Sequence, residues 1–192
     1  MTPAQMTRLA EQIAGFQKCV LALPPPHGYG YAPPGDAGPR ASWLHVLQGA
    51  ESGLSEPGAG RLAALIRARE PYFRQVPPLC FLDDLTTKNV LVRGGELTGL
   101  VDFDGVCYGD PLFWLGLTAT AVAGDVGLRE LFYVEELCRA LELTGEQRQT
   151  VALYAAWISL GFVGKFGAGE TDAWRARMAA ARARWMEAAG KI

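Results

Sequence analysis

The chain has little of what zinc-binding and disulfide-rich proteins need. It contains four cysteines and two histidines in 192 residues, and no C-x-x-C pair is present. The six residues are spread along the chain: Cys19, His27, His45, Cys80, Cys107 and Cys138. This spacing argues against a structural zinc site and against a disulfide framework, and we expect a reduced, cytoplasmic setting.

Long hydrophobic runs, a secretion signal and an excess of positive charge are also missing. No apolar run reaches the roughly 18 residues of a membrane span, and the most hydrophobic stretch, residues 151–163, includes Tyr154 and Ser159. The first residues lack the basic-then-apolar profile of a signal peptide. The formal net charge of −2 argues against a general nucleic-acid binder. We therefore expect neither membrane nor nucleic acid among the partners.

The sequence does contain a short predicted hairpin. Apolar residues 90–92 and 97–101 predict two strands. The Gly-Gly pair at 94–95 predicts a two-residue turn between them, because glycine reaches positive φ without steric cost. This turn places Asn89 opposite Leu100, and a longer turn would shift that register by one residue.

Three oxygen-bearing residues are expected to meet at the open end of this hairpin: Asp84, Asn89 and Asp102. Such side chains suit a hard cation like Mg²⁺, which binds one or two carboxylates and leaves room for phosphate oxygens. A free carboxylate nearby can accept a hydroxyl proton, and the two features together suit phosphoryl transfer. The alternative is a polar loop that only covers a buried hairpin. It explains an Asp-x4-Asn segment, an apolar hairpin and an apolar-Asp-Phe triplet in this order less well.

Three segments of this region resemble the aminoglycoside phosphotransferase family: DLTTKN at 84–89, LVDFD at 100–104 and YGDP at 108–111. That family and the related choline kinases share the protein-kinase-like fold. The segments occur in the family's order and with its spacing.

The resemblance implies a role for each matching residue. Asp84 matches the catalytic base that receives the proton of the substrate hydroxyl. Asn89 and Asp102 match the two residues that bind Mg²⁺. Lys88 and Asn89 are implied to contribute to the ATP site.

Two positions depart from the family's pattern. A histidine usually stands two residues before the catalytic aspartate, where this chain has Leu82. An aspartate is also common at the position of Trp114. Both family residues brace the catalytic loop through polar contacts, whereas leucine and tryptophan pack here. The loop is therefore either held by packing or looser than in the family.

Helical periodicity dominates the rest of the chain, and Thr2, Ser42, Thr144 and Thr171 are predicted N-terminal caps. The expected fold class is mainly α (α+β), the helical C-terminal lobe of a protein-kinase-like fold with one small β-hairpin that carries the catalytic and metal residues. We expect a single domain over residues 1–192. In the first helix, apolar residues three and four apart predict the buried face: Met6, Leu9, Ile13, Phe16, Val20 and Leu23.

The scarcity of lysine bears on the nucleotide site. Kinase-like enzymes hold ATP between a helical lobe and a β-rich lobe that supplies a lysine and a glutamate. The chain has four lysines, none in a predicted strand followed by an acidic helix: Lys18, Lys88, Lys165 and Lys191. We therefore expect the N-terminal nucleotide-binding β lobe to be absent from this chain and to be a missing partner.

Two groups of residues outside the motif have alternative roles. Tyr29, Tyr31 and Trp43 lie in or beside a Gly- and Pro-rich loop, residues 24–41. They either stack on a sugar or a cation or anchor the loop by packing, which we favour. Asp110 either supports metal or substrate or forms a turn before proline, and we favour the turn.

The main hypothesis is an ATP-dependent phosphotransferase that acts on a hydroxyl of a small molecule, aminoglycoside-like or an amino alcohol. A cleft with several carboxylates favours a cationic acceptor. The alternative is a non-catalytic kinase-like remnant that binds a cationic ligand or a protein partner. A metal-dependent hydrolase fits less well, because histidines or further ligands for a second metal are lacking.

Overall fold

The computed structural model describes residues 2–24, 27–49, 58–86, 88–102, 105–166 and 169–191. In these ranges the chain forms eight α-helices: Pro3–Leu21 (α1), Trp43–Gly49 (α2), Ala59–Ala68 (α3), Glu70–Phe73 (α4), Leu112–Asp125 (α5), Phe132–Ala140 (α6), Gly145–Phe166 (α7) and Asp172–Ala189 (α8). It also forms five short strands: Gly30–Ala32 (β1), Leu79–Phe81 (β2), Val90–Arg93 (β3), Glu96–Leu100 (β4) and Val106–Gly109 (β5). A 3₁₀ turn, Leu128–Leu131, leads directly into α6.

The predicted helix caps are present. At α1, the Thr2 amide donates to Gln5 Oε1 (2.8 Å) and the Gln5 amide donates to Thr2 Oγ1 (3.3 Å). Thr144 and Gln147 make the same reciprocal pair at the start of α7, at 2.9 and 3.2 Å. The Thr171 hydroxyl caps α8. These side chains satisfy amides that have no partner inside the helix, which explains why the helices begin at the predicted residues.

The core lies between helices that are apolar on most sides. α5 is buried along most of its length and packs on α7 and α8, while α1 packs on α6. Gly116 permits the close approach of α5 to α7, since a Cβ there would lie 2.5 Å from the Tyr154 Cβ. In the part of the chain that is described, no helix combines the length and the apolar character needed to cross a membrane.

The predicted buried face of α1 is confirmed for Leu9 and Ile13, and Met6 and Val20 pack against the core, but two of its members are exposed. The residues that face inward are Leu9, Ala10, Ile13, Ala14 and Gln17. Phe16, predicted on that face, is 42 % exposed, and Leu23 is 52 % exposed. The inward face thus combines two large aliphatic residues with two alanines and one glutamine, and it packs on α6, β2 and β4.

Two small antiparallel sheets lie beside the helices. β3 and β4 form the predicted hairpin, and a second sheet has the strand order β1–β5–β2. In that sheet Tyr31 and Phe81 both pair with Cys107. The sequence predicted β2, but β1 and β5 fell in segments interpreted as loops, 24–41 and 105–111. Both strands are only three or four residues long, so they carry no alternating pattern.

The hairpin turn falls at the predicted glycines 94–95, which both have positive φ. Near the turn the predicted register is correct, but farther along Val90, and not Asn89, lies opposite Leu100. The prediction that Asn89 pairs with Leu100 is therefore wrong by one residue. A β-bulge that leaves Thr98 unpaired causes the shift, and the turn length plays no part.

Candidate active site

Asp84 lies in the loop that leaves the end of β2. Its neighbours Leu82, Leu85 and Thr86 are buried, whereas Asp84 itself is partly exposed. Among the described residues, none donates a side-chain hydrogen bond to the Asp84 carboxylate. The loop thus presents a partly exposed carboxylate that accepts no hydrogen bond from another described side chain.

Asn89 connects this loop to the hairpin. It is 7 % exposed, and its Nδ2 donates to the Asp84 carbonyl oxygen at 3.0 Å. This bond uses the amide nitrogen and leaves Oδ1 as an acceptor for a cation. The Asn89 carbonyl in turn accepts from the Val101 amide at 3.0 Å, so the ladder of the hairpin continues to the residue before Asp102.

Asp102 turns the chain sharply after β4. It is exposed and has φ of +63°, a left-handed conformation that residues other than glycine adopt rarely and aspartate tolerates better than most. Such backbone strain is concentrated at functional sites. The bonds around Asn89 bring the Asp84 loop and the Asp102 turn to the same end of the hairpin, while the chemical roles of these residues stay predictions.

The donor set at this end of the hairpin fits Mg²⁺. Asn89 offers an amide oxygen and Asp102 a carboxylate, which are hard ligands for an ion that keeps several waters and binds phosphate oxygens. Within the described ranges, no three His, Cys, Asp or Glu side chains converge as a metal-binding cluster. Asp104 lies outside the described residues. A metal ion bound to Asn89 and Asp102 would therefore need water and phosphate oxygens as its remaining ligands.

Lys88, predicted to contribute to the ATP site, forms an ion pair with a residue of α5. Its Nζ lies 2.6 Å from the Asp125 carboxylate at the end of α5. The two side chains are 65 % and 39 % exposed. The charge that was predicted to serve ATP is thus paired with α5 in this structure.

A comparison with protein families matches residues 2–154 to a model described as the phosphotransferase enzyme family. The chain belongs to this family. No curated protein matches the chain at a significant level.

Similar solved structures share the fold over nearly the whole chain. A thermostable mutant of aminoglycoside phosphotransferase APH(4)-Ia, in ternary complex with AMP-PNP and hygromycin B, has a TM-score of 0.70 at 16% identity, covering 99% of this chain and 66% of that one. A choline/ethanolamine kinase family protein from Mesorhizobium loti has a TM-score of 0.57 at 18% identity, covering 98% and 64%. ADP-bound aminoglycoside phosphotransferase APH(2'')-Ib has a TM-score of 0.52 at 13% identity, covering 98% and 65%. The chain thus spans about two thirds of these structures and has the helical, kinase-like fold that the sequence predicted.

The loop that contains Asp84 is held by contacts with the core despite the two departures from the motif. Leu82 and Trp114 are both buried in the core. Two polar contacts supplement their packing: Gln17 bonds the backbone of Leu82 on both sides, and the Tyr133 hydroxyl donates to the Leu85 carbonyl at 3.3 Å. Of the two alternatives, the structure supports a loop that is held. The sequence analysis missed Gln17, although a polar residue four positions after the core residue Ile13 is a signal for a buried polar contact.

Asp83 is a second carboxylate beside Asp84. The Tyr31 hydroxyl on β1 and the Asp84 amide both hydrogen-bond to it. Burial raises the pKa of Asp83, the Tyr31 bond lowers it, and burial prevails. Tyr31 is 49 % exposed, so it forms part of the surface around Asp84. The Asp-Asp pair was visible in the sequence, but its partner from β1 was not.

The other aromatic residues anchor the loop, as favoured from the sequence. Trp43 is fully buried and donates from Nε1 to the Tyr154 hydroxyl at 2.7 Å. The Tyr29 hydroxyl donates to the Val76 carbonyl at 2.9 Å. Asp110 forms the expected turn at the start of α5, where its Oδ1 accepts from the Leu112 amide at 2.9 Å.

Proposed function

We propose that this chain carries the catalytic and metal-binding residues of an ATP-dependent phosphotransferase that acts on a hydroxyl of a small molecule. Asp84 is the catalytic base, and Asn89 and Asp102 are the Mg²⁺ ligands. Lys88 and Asn89 contribute to the ATP site. Membership of the phosphotransferase family supports the reaction class.

One observation carries the assignment of residues. The Asn89 side chain bonds directly to the backbone of Asp84 at 3.0 Å. The predicted base and the predicted metal ligand are therefore fixed relative to each other. Phosphoryl transfer depends mainly on such positioning, because little covalent chemistry is left for the protein to do.

Each residue then has a defined task. The Asp84 carboxylate orients the acceptor hydroxyl and takes its proton as the oxygen approaches the phosphorus. The Asn89 and Asp102 oxygens are the ligands that would hold Mg²⁺. When bound, Mg²⁺ neutralises the charge of the phosphate oxygens. The buried residues around Asp84 hold the loop still, so the carboxylate needs little rearrangement.

The acceptor that we propose is a cationic small molecule, aminoglycoside-like or an amino alcohol. Asp83, Asp84 and Asp102 give this end of the hairpin an excess of negative charge, which attracts a cationic acceptor. Similar structures include an aminoglycoside phosphotransferase crystallised with hygromycin B and a choline/ethanolamine kinase family protein. Both names are consistent with such an acceptor.

The ATP site needs residues beyond those assigned here. A kinase-like enzyme draws a phosphate-binding lysine and its glutamate from a β-rich lobe. We propose that an N-terminal lobe of that kind completes the site. The activity should therefore be measured on the 192-residue chain and on the longest product that its gene encodes.

Asp84→Asn tests the proposal. It removes the proton acceptor and keeps the size of the side chain, so phosphotransfer to an aminoglycoside or amino-alcohol panel should fall about 10²–10⁴-fold. Thermal unfolding should change little, because the Asp84 carboxylate receives no bond from another described side chain. Asp172→Asn, at the exposed start of α8, is the matched control and should keep full activity. Undiminished transfer by Asp84→Asn would remove Asp84 from its role. Tight binding of a cation without any transfer would favour the non-catalytic remnant.

A further inference from the structure

Gln17 is the one fully buried glutamine on α1, and both ends of its amide are used. Nε2 donates to the Leu82 carbonyl at 2.7 Å, and Oε1 accepts from the Leu82 amide at 3.2 Å. Gln17 is 0 % exposed and Leu82 is 7 % exposed. We call this pair of bonds the Gln17–Leu82 bridge. Buried polar groups without partners are costly, so displacement of either residue that breaks the bridge is disfavoured.

The Gln17–Leu82 bridge lies two residues before Asp84. On the other side of Asp84, the Leu85 carbonyl accepts from the Tyr133 hydroxyl at 3.3 Å. The Asp84 carbonyl itself accepts from Asn89 Nδ2 at 3.0 Å. Three side chains from different parts of the fold thus fix the loop backbone at and around Asp84. The Gln17–Leu82 bridge is the contact that fixes its upstream side.

A leucine at position 82 cannot fix the loop through a polar side-chain bond. It can only pack, and packing constrains the direction of a backbone less sharply than two bonds to one peptide residue. The Gln17–Leu82 bridge supplies, from α1, the polar contact that the leucine side chain at position 82 cannot make. It reaches across 65 positions of sequence, so it ties the loop to the most regular helix of the N-terminal part.

We propose that Gln17 is a positioning residue for Asp84. Its amide fixes the backbone at Leu82 and thereby the direction of the Asp84 carboxylate toward the acceptor hydroxyl. This inference rests on the proposed function. It adds to the catalytic machinery a residue that lies far from the motif and does not touch the substrate.

α1 offers a matched control in Gln12. This side chain also holds a backbone segment, because Oε1 accepts from the Leu97 amide at 2.9 Å and Nε2 donates to the Glu96 carboxylate at 2.7 Å. The segment it holds is β4 near the hairpin turn, away from Asp84. Gln12→Met and Gln17→Met therefore make the same chemical change on the same helix and differ in the backbone they release.

The experiment measures kcat and KM for both substrates in a wild type whose transfer depends on Asp84. Gln17→Met keeps side-chain length and removes both bonds, so kcat should fall about 10- to 100-fold, as expected for a misplaced catalytic group. KM for ATP and for the acceptor should change less than about threefold, because the metal and nucleotide residues are untouched. Gln12→Met should keep kcat within about twofold of the wild type. Amide hydrogen exchange at Leu82 should accelerate in Gln17→Met and stay unchanged in Gln12→Met.

Gln17→Ser is the second variant, in case Gln17→Met folds poorly. It leaves room for water to satisfy the Leu82 backbone without fixing its direction, so kcat should fall while folding is spared. The proposal is overturned if Leu82 exchanges faster but kcat is unchanged, if the Gln12 and Gln17 variants lose kcat equally, or if neither Gln17 variant folds. A wild type without Asp84-dependent transfer would instead overturn the proposed function, and the role of Gln17 with it.

Discussion

Two carboxylates beside the paired strands β2 and β5 are in opposite situations, Asp84 in the loop after β2 and Asp110 directly after β5. Asp84 is partly exposed, and no described side chain donates a hydrogen bond to its carboxylate. Asp110 is 2 % exposed and accepts three hydrogen bonds. The donors are the Tyr72 hydroxyl (2.8 Å), the Tyr154 hydroxyl (2.7 Å) and the Leu112 amide (2.9 Å).

This difference separates a carboxylate that is bonded within the fold from the one that we propose as the catalytic base. Every oxygen of Asp110 is occupied by a donor, and Trp43 extends the network through Tyr154. Burial raises the pKa of Asp110 while its three hydrogen bonds lower it. Because this carboxylate is buried and both its oxygens already accept hydrogen bonds, it is poorly accessible to a substrate. At Asp84 the backbone carbonyl accepts a hydrogen bond from Asn89, while the carboxylate accepts none from a described side chain and can still bind a substrate group.

The largest expected effect on stability is that of Asp110→Ala. The change leaves two tyrosine hydroxyls and one helix amide buried without an acceptor, and the loss in the free energy of unfolding should be roughly 3–5 kcal/mol. Urea unfolding followed by the fluorescence of the five tryptophans measures it. Asp84→Ala is the matched change in the loop after β2, and it should lower the free energy of unfolding by roughly 1 kcal/mol or less. Equal losses in the two variants would contradict the comparison.

The same contrast explains how far the sequence could predict the site. The spacing of Asp84, Asn89 and Asp102 around a Gly-Gly turn is local information, and the hairpin and its turn are confirmed. The helix caps and the buried helices follow from patterns of three to four residues, and they are confirmed as well. These features depend on neighbours in sequence, so a single chain reveals them.

What the sequence did not reveal depends on distant contacts. The bonds of Gln17 to Leu82 and of Tyr31 to Asp83 join residues more than 50 positions apart. The β-bulge at Thr98 shifted the register of the hairpin by one residue, and the adjacent Gly99 within β4 was the only local sign of it. β1 and β5 are stable only because each pairs with a strand from elsewhere in the chain. The helical spacing after Ile13 indicates that Gln17 is buried, but no local pattern identifies the distant partner of such a contact.

A smaller, pH-dependent effect is expected from Asp83. Its pKa is raised in the folded protein, chiefly by burial, so the folded state favours the protonated form. The corresponding stabilisation is complete below the ordinary carboxyl pKa of about 4 and is lost as pH rises through the raised pKa. Asp83→Asn removes this titration. The free energy of unfolding of the wild type minus that of Asp83→Asn should therefore decrease as pH rises from 4, as measured by urea unfolding at a series of pH values. An increase over that interval would contradict the burial argument.

The smallest expected effect on stability concerns the ion pair of Lys88 and Asp125. Both side chains are largely solvated, and exposed pairs contribute roughly 0–1 kcal/mol. The free energies of unfolding of Lys88→Gln and Asp125→Asn should therefore both lie within about 1 kcal/mol of the wild type, and added salt should reduce even that difference.

The kinetics of the two variants should differ if Lys88 contributes to the ATP site. Lys88→Gln should then raise KM for ATP a few-fold, whereas Asp125→Asn, which releases the lysine from α5, should leave KM unchanged or lower it. Equal increases in KM would instead assign the pair to holding the catalytic loop against α5, and Lys88 would leave the ATP site. Lys88 thus resembles Asp110 in having a partner within the fold, and a role in ATP binding would require it to exchange Asp125 for a phosphate oxygen.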